Sequence, residues 1–278
     1  MWIKKILCIC IISSLVQMII VASSYAQDEC LGMAESAVNK GNYWQAIDIL
    51  KGCKASASLS SMKGMIYHRL YEPDSAVRHF QAAYDAGERN DNLLINFADA
   101  ALWKSDSAKA TILLAQVADT SAVVYKLVWA TLCELKGSFD EALSLYNKII
   151  SGDPKNDGTY AVFMKAQLLS WMAKFNESEN LYARFIKAPD LPEAIKYDAM
   201  AKRAEVMSWM KKYGEALAEL DAVLKGSPGH IEARRIKAQI FEWKGDSKRA
   251  QRMYKEIVNL SPDDRQAISR LEELNKTK

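Results

Sequence analysis

Seven pairs of small residues recur along this chain with their two members twelve positions apart: Ala34/Ala46, Gly64/Ala76, Ala98/Ala110, Ala130/Ala142, Ala166/Ser178, Ala204/Ala216 and Ala238/Ala250. Successive pairs begin 30, 34, 32, 36, 38 and 34 residues apart. Four residues after each second member stands a large side chain: Leu50, Phe80, Leu114, Tyr146, Tyr182, Leu220 and Tyr254 in turn. Between the two small residues lies a polar or glycine-containing break, as in Lys40-Gly41-Asn42, Lys136-Gly137-Ser138 and Lys244-Gly245-Asp246. A glycine after a lysine-bearing last turn stops a helix. Each unit therefore reads as helix, tight turn, helix. Small residues let the paired helices approach closely, and the large one fills the groove toward the next unit. An ordinary antiparallel bundle would account for amphipathic helices but not for seven equal triplets. The composition agrees: half of the 278 residues are hydrophobic, with only 12 Gly and 6 Pro, which favours helices over sheet or disorder.

These triplets resemble the tetratricopeptide repeat, a unit of 34 residues with a small residue, a second one twelve later, a large residue four on, and then proline. Asp153-Pro154, Ser227-Pro228 and Ser261-Pro262 put proline eight after the large residue, and Pro189 and Pro192 flank that place in the fifth unit. KGSFDEALSLYNKIISGDP (136–154), KKYGEALAELDAVLKGSP (211–228) and KGDSKRAQRMYKEIVNLSP (244–262) are the clearest copies. The resemblance implies an all-α, right-handed superhelical solenoid of about seven helix-turn-helix repeats over 27–262. Residues 263–278 would form a C-terminal capping helix and tail. It also implies a scaffold that binds another protein or peptide through a concave face, and not an enzyme.

The amino terminus carries an address. Lys4 and Lys5 precede an apolar stretch from Ile6 to Ala22, and Ser24-Tyr25-Ala26 offers small residues at a cleavage point. Residues 1–26 thus read as a signal peptide cleaved near Ala26, which places the protein in the periplasm or outside the cell. The apolar run falls short of the ~20 residues that span a bilayer, and nothing later is apolar enough to do so. Without these residues the chain has 35 basic against 34 acidic side chains. Such a near-neutral body offers no cationic field for nucleic acid. Cys30, Cys53 and Cys133 remain. Cys30 lies four before Ala34 and Cys53 seven after Ala46, on partner helices, so antiparallel packing predicts a Cys30–Cys53 disulfide and a buried thiol at Cys133.

Catalytic chemistry is not legible in the sequence. His68, His79 and His230 lie in separate units with no metal-ligand spacing. Asp153-x-Lys155-x-Asp157-Gly158 has lysine at the third position of a calcium loop and Met164 at its last, and reads as an inter-repeat turn. Phosphate-cradling loops and nucleophile elbows are missing. No cofactor and no metal is expected.

One column stands out. Trp103, Trp171, Trp209 and Trp243 each lie eleven before the large residue of their unit, at the end of a first helix. Two readings are open. The column is a set of packing wedges, or it is an aromatic strip on the binding face. In the resembled family the first helices line the concave face, which points to Tyr160, Phe163 and Gln167 in unit five, Glu205 in unit six, and Arg235 and Gln239 in unit seven. Together with the four tryptophans these are the candidate ligand-binding residues. Aromatic platforms beside carboxylates and amides suit a peptide or a glycan. SWMAKF (170–175), SWMKKYGEA (208–216) and EWKGDSKRA (242–250) also resemble repeats in the periplasmic region of bacterial outer-membrane proteins linked to surface polysaccharide. That resemblance implies an alternative role as a glycan-binding or polysaccharide-export accessory acting beside a separate barrel.

Overall fold

A computed structural model describes residues 29–152, 157–189 and 191–276. The expected leader, residues 1–26, and the Asp153-Pro154 turn lie outside the described residues. Those described are helical throughout, with no strand among them, and they divide into two compact units that meet at Gly137/Ser138.

The first unit holds α1 (29–39), α2 (Tyr43–Lys51), α3 (Ala57–Arg69), α4 (Pro73–Asp85), α5 (Asp91–Trp103), α6 (Ser107–Leu114) and α7 (Val123–Leu135). The second holds α8 (Phe139–Gly152), α9 (Asp157–Trp171), α10 (Phe175–Ile186), α11 (Glu193–Trp209), α12 (Tyr213–Gly226), α13 (Ile231–Trp243), α14 (Ser247–Leu260) and α15 (Arg265–Lys276). Within each unit most helices pack chiefly on their neighbours in sequence, and α7 packs on α5 as well as on α6, as expected of stacked hairpins. No helix among the described residues is long and apolar enough to cross a membrane.

The small residues are the contact points. The alanines of the seven pairs are fully buried. A Cβ on Gly64 would stand 2.5 Å from the Phe80 ring, so that ring occupies the space a side chain would need. Ser178, the one hydroxyl in the set, donates to the Ala166 carbonyl at 2.7 Å, which satisfies a group that burial would otherwise penalise. All seven large residues are buried, from Phe80, Tyr146 and Leu220 at 0% exposure to Leu50, Leu114, Tyr182 and Tyr254 at 1%.

Within each pair the turn closes in one way. The residue five before the second small residue takes positive φ in all seven: Gly41, Tyr71, Ser105, Gly137, Ala173, Lys211 and Gly245, between 57° and 76°. At Gly245 its N–H donates to Glu242 O and the next N–H to Phe241 O, both at 2.8 Å. The same pair of bonds recurs at Lys211, to Ser208 O at 3.0 Å and from Lys212 to Met207 O at 2.9 Å. This double closure satisfies carbonyls that a helix end leaves orphaned.

One unit departs from the regular hairpin. α6 ends at Leu114, and residues 115–122 run as a loop. The Asp91 carboxylate accepts from the N–H groups of Ala118 and Asp119, both at 2.9 Å, and Val117 is buried beneath. A side chain at the start of α5 thus replaces the bonds a further helical turn would have made.

Candidate functional site

The four tryptophans end their helices at the tight turns, and each indole is partly in solvent: Trp103 41%, Trp171 59%, Trp209 37% and Trp243 50%. In the second unit Trp171, Trp209 and Trp243 come together along one groove of about 630 Å³, lined also by Ser170, Ala173, Phe175, Ser208, Lys211 and Tyr213. Two of the rings rest on the start of the second helix in the preceding hairpin. Trp209 lies 5.7 Å from Phe175, and Trp243 6.4 Å from Tyr213, centroid to centroid, in tilted pairs. These indoles are therefore partly packed against neighbouring rings and partly in solvent. Ser170 and Ser208 are buried at the groove floor and bond their own helices, donating to Gln167 O and Glu205 O at 2.6 Å.

The first unit repeats the stacking of a tryptophan on the preceding turn. Trp103 stacks on His68 at 4.1 Å and on the 81% exposed Tyr71 at 5.5 Å, and Asp99 lies 3.0 Å from His68 Nε2.

The other sequence-derived candidates lie elsewhere. Tyr160 is half exposed near the start of α9. Phe163 packs edge-on to Tyr182 at 5.5 Å and against Phe185 at 5.2 Å, in the core. Gln167 and Gln239 are half-buried on α9 and α13. Glu205 is half-buried and paired with Lys202 at 3.3 Å, and burial holds its carboxyl above the ordinary range against that lysine. Lys202 also approaches Glu232 at 3.7 Å, and Arg235 joins Glu232 to Asp264, the latter at 2.7 Å. These charges answer one another across α11, α13 and the start of α15, and none of these residues lines the aromatic groove. No group of three or more His, Cys, Asp or Glu among the described residues is placed to hold a metal.

Sequence reasoning overlooked Phe175 and Tyr213. Both stand three before the second small residue of their repeat, as do Tyr43 and Phe139. A second aromatic register was therefore present, at the first position of the second helices.

A family model described as tetratricopeptide repeat matches residues 210–273. Among solved structures, a tetratricopeptide repeat protein from Parabacteroides merdae ATCC 43184 superposes with a TM-score of 0.68, covering 90% of this chain and 99% of that one at 18% identity. Residues 210–273 thus match the tetratricopeptide repeat, and the chain shares the fold of tetratricopeptide repeat proteins. The Cut9-Hcn1 hetero-tetramer of APC/C carries a second similar chain, with a TM-score of 0.62 and 13% identity over 91% of this chain and 46% of that one. A search of curated proteins finds no matching sequence. Tetratricopeptide repeats generally act as protein-interaction scaffolds, because stacked hairpins present an extended groove and little convergent chemistry.

Proposed function

We propose that this protein is an envelope scaffold, periplasmic or secreted, that holds a segment of a partner protein in the aromatic groove of its second unit. The observation that carries this reading is the groove itself. Three indoles, Phe175 and Tyr213 lie together with one charged residue, Lys211, among the nine lining positions. Aromatic anchors with solvent-facing sides give large contact area at low cost in side-chain entropy. The leader-like residues 1–26 supply the compartment.

The test is co-purification from envelope extracts with wild type, Trp171→Ala, Trp209→Ala and Trp243→Ala. Trp209 is the first choice because it has a tryptophan neighbour on each side. A partly exposed ring should cost about 1 kcal/mol when removed, lowering Tm by about 2–4 °C, while partner capture is lost. If the variants unfold several degrees earlier and their folded fraction captures the partner normally, the column is core and the proposal fails.

The half-exposed indole faces also support a second reading, a glycan-binding or polysaccharide-export accessory, because sugar rings stack on such surfaces. Capture that survives protease treatment of the extract and yields carbohydrate favours this second role.

A further inference from the structure

We infer that the groove selects an extended acidic segment, one whose aromatic or aliphatic side chains enter between the indoles while its carboxylates face the lysines of the turns. The inference rests on the reading of this groove as the partner site and adds the chemistry of the occupant. Its basis is charge complementarity. No carboxylate lines the groove, and Lys211 is the one charged residue that does. The same turns carry Lys174, Lys212 and Lys244, and the Lys244 ammonium stands 6.0 Å from the centre of the Tyr213 ring. Lys212 is neutralised by Glu179 at 2.8 Å, which leaves Lys211 in the lining and Lys244 beside Tyr213 as the cationic side chains of the groove.

The acids nearest in sequence are Glu242, held by Tyr254 and Arg270, Asp246, which caps α14 and pairs with Arg249, and Glu177 and Glu215 in the first turns of α10 and α12; none of them is in the lining. Those two helices also begin at this edge on lysines whose side chains make no cap, Lys174 and Lys212. Glu177 and Glu215 stand in those same first turns, so the positive charge at this edge rests on the lysine ammoniums.

Lys211 sits at φ +60°, a conformation in which Gly41, Gly137 and Gly245 stand at the equivalent turns. Lysine there has a backbone cost that glycine avoids, and what it supplies in return is an ammonium at the groove.

The experiment titrates purified full-length protein, by tryptophan fluorescence, with three synthetic peptides that share one Trp and one Phe. Their remaining residues are glutamate-rich, serine-rich or lysine-rich, and a uronic-acid oligosaccharide is the fourth probe. The expected order is glutamate-rich over serine-rich over lysine-rich, with the preference shrinking as salt screens it. Lys211→Gly should raise Tm yet weaken the glutamate-rich peptide about threefold to fivefold, the scale of one exposed charge pair, so misfolding cannot explain the loss. Lys211→Glu should reverse the order. Equal affinity for all three peptides, preference for the lysine-rich one, or Trp209-dependent binding of the oligosaccharide alone overturns the inference. Charge-blind peptide binding that still vanishes in Trp209→Ala overturns the acidic preference while the groove remains the site. Peptide binding that Trp209→Ala leaves unchanged overturns the groove as well.

Discussion

The turn residue at positive φ is where single side chains decide most. In αL geometry a Cβ crowds the following carbonyl at a cost of about 1–2 kcal/mol, part of which glycine gives back as unfolded-state entropy. Ala173→Gly, at φ +57°, should therefore stabilise the protein by about 0.5–1 kcal/mol, and Gly245→Ala, at +76°, should destabilise it by about 1 kcal/mol or more. Equilibrium urea unfolding reads both, and equal midpoints for all three proteins would refute the strain argument. Only the glycine-bearing turns announced this conformation in the sequence. At Tyr71, Ser105 and Ala173 the residue type conceals it, and only the repeat register shows that they are the same position. His230 is a second such case. Its Nδ1 accepts the N–H of Ala233 at 3.2 Å and caps α13, which leaves the proton on Nε2, 3.1 Å from the Asp198 carboxylate. Asp198 is largely exposed, so this contact adds little and the cap carries the effect. His230→Ala should cost about 1 kcal/mol or more, and His230→Asn, which can still accept that N–H, only a few tenths. Similar losses in both variants would show that the ring and not the cap matters.

Single helices show what a repeat pattern cannot express. The spacing predicts small and large residues at fixed places, and Ala98, Ala110 and Leu114 occupy them. It contains nothing to say that α6 stops at Leu114, because the cause is Asp91 holding the N–H groups of Ala118 and Asp119 from an earlier helix. The groove was legible by half for a related reason. First-helix tryptophans stood out by rarity, whereas Phe175 and Tyr213 looked like ordinary apolar openings of second helices. The terminal helix α15 was legible as a cap, and its attachment is electrostatic in part. Asp264 Oδ1 accepts the N–H of Ala267 at 2.9 Å while Oδ2 accepts from Arg235 at 2.7 Å. The helix N–H first, and Arg235 with it, hold the Asp264 carboxyl below the ordinary carboxylate range. A depressed value means the stabilisation is fully present above the unfolded value of about 3.9 and is lost as pH falls through the folded one. Glu205 and Glu219 have the opposite sign. Burial holds them above the ordinary range, so their ionisation costs the fold and acid removes that cost. The difference between wild type and Asp264→Asn isolates the first effect, since asparagine keeps the cap without the charge. The protection of α15 amides, corrected for intrinsic exchange, should fall below about pH 4 in wild type, while that of the asparagine variant stays flat over that range. Parallel curves for the two proteins would remove Asp264 from the account.

Across the whole molecule, the first hairpin carries a covalent tie that the other repeats lack among the described residues. Its core is small, built from Ala34, Ala37, Ala46, Ile47 and Leu50 with Leu59 and Ile66 from the next helix. The structure joins Cys30 to Cys53 beside it, with Cα atoms 5.9 Å apart and the two cysteines 23 positions apart in sequence. Closing such a loop contributes about 3 kcal/mol in the chain-entropy model, a large share for a hairpin with one neighbour in sequence. The bond persists only where the surroundings are oxidising, and that condition matches the address read in residues 1–26. One experiment joins the two. Protein expressed from Met1 and recovered from the periplasm should have a mass that begins near Gln27, and thiol alkylation under denaturing conditions should find Cys133 alone. Cys133 is 4% exposed on α7, so it should react only after unfolding. The same chain begun at Gln27 and kept in a reducing cytosol should alkylate at all three cysteines. It should also exchange amides faster over α1 and α2 than the oxidised form, by the factor that about 3 kcal/mol implies, on the order of a hundredfold. A recovered mass that retains the leader would refute the exported reading. Peptide mapping that joins Cys133 to either partner, or finds Cys30 as a thiol in periplasmic material, would refute the tie itself.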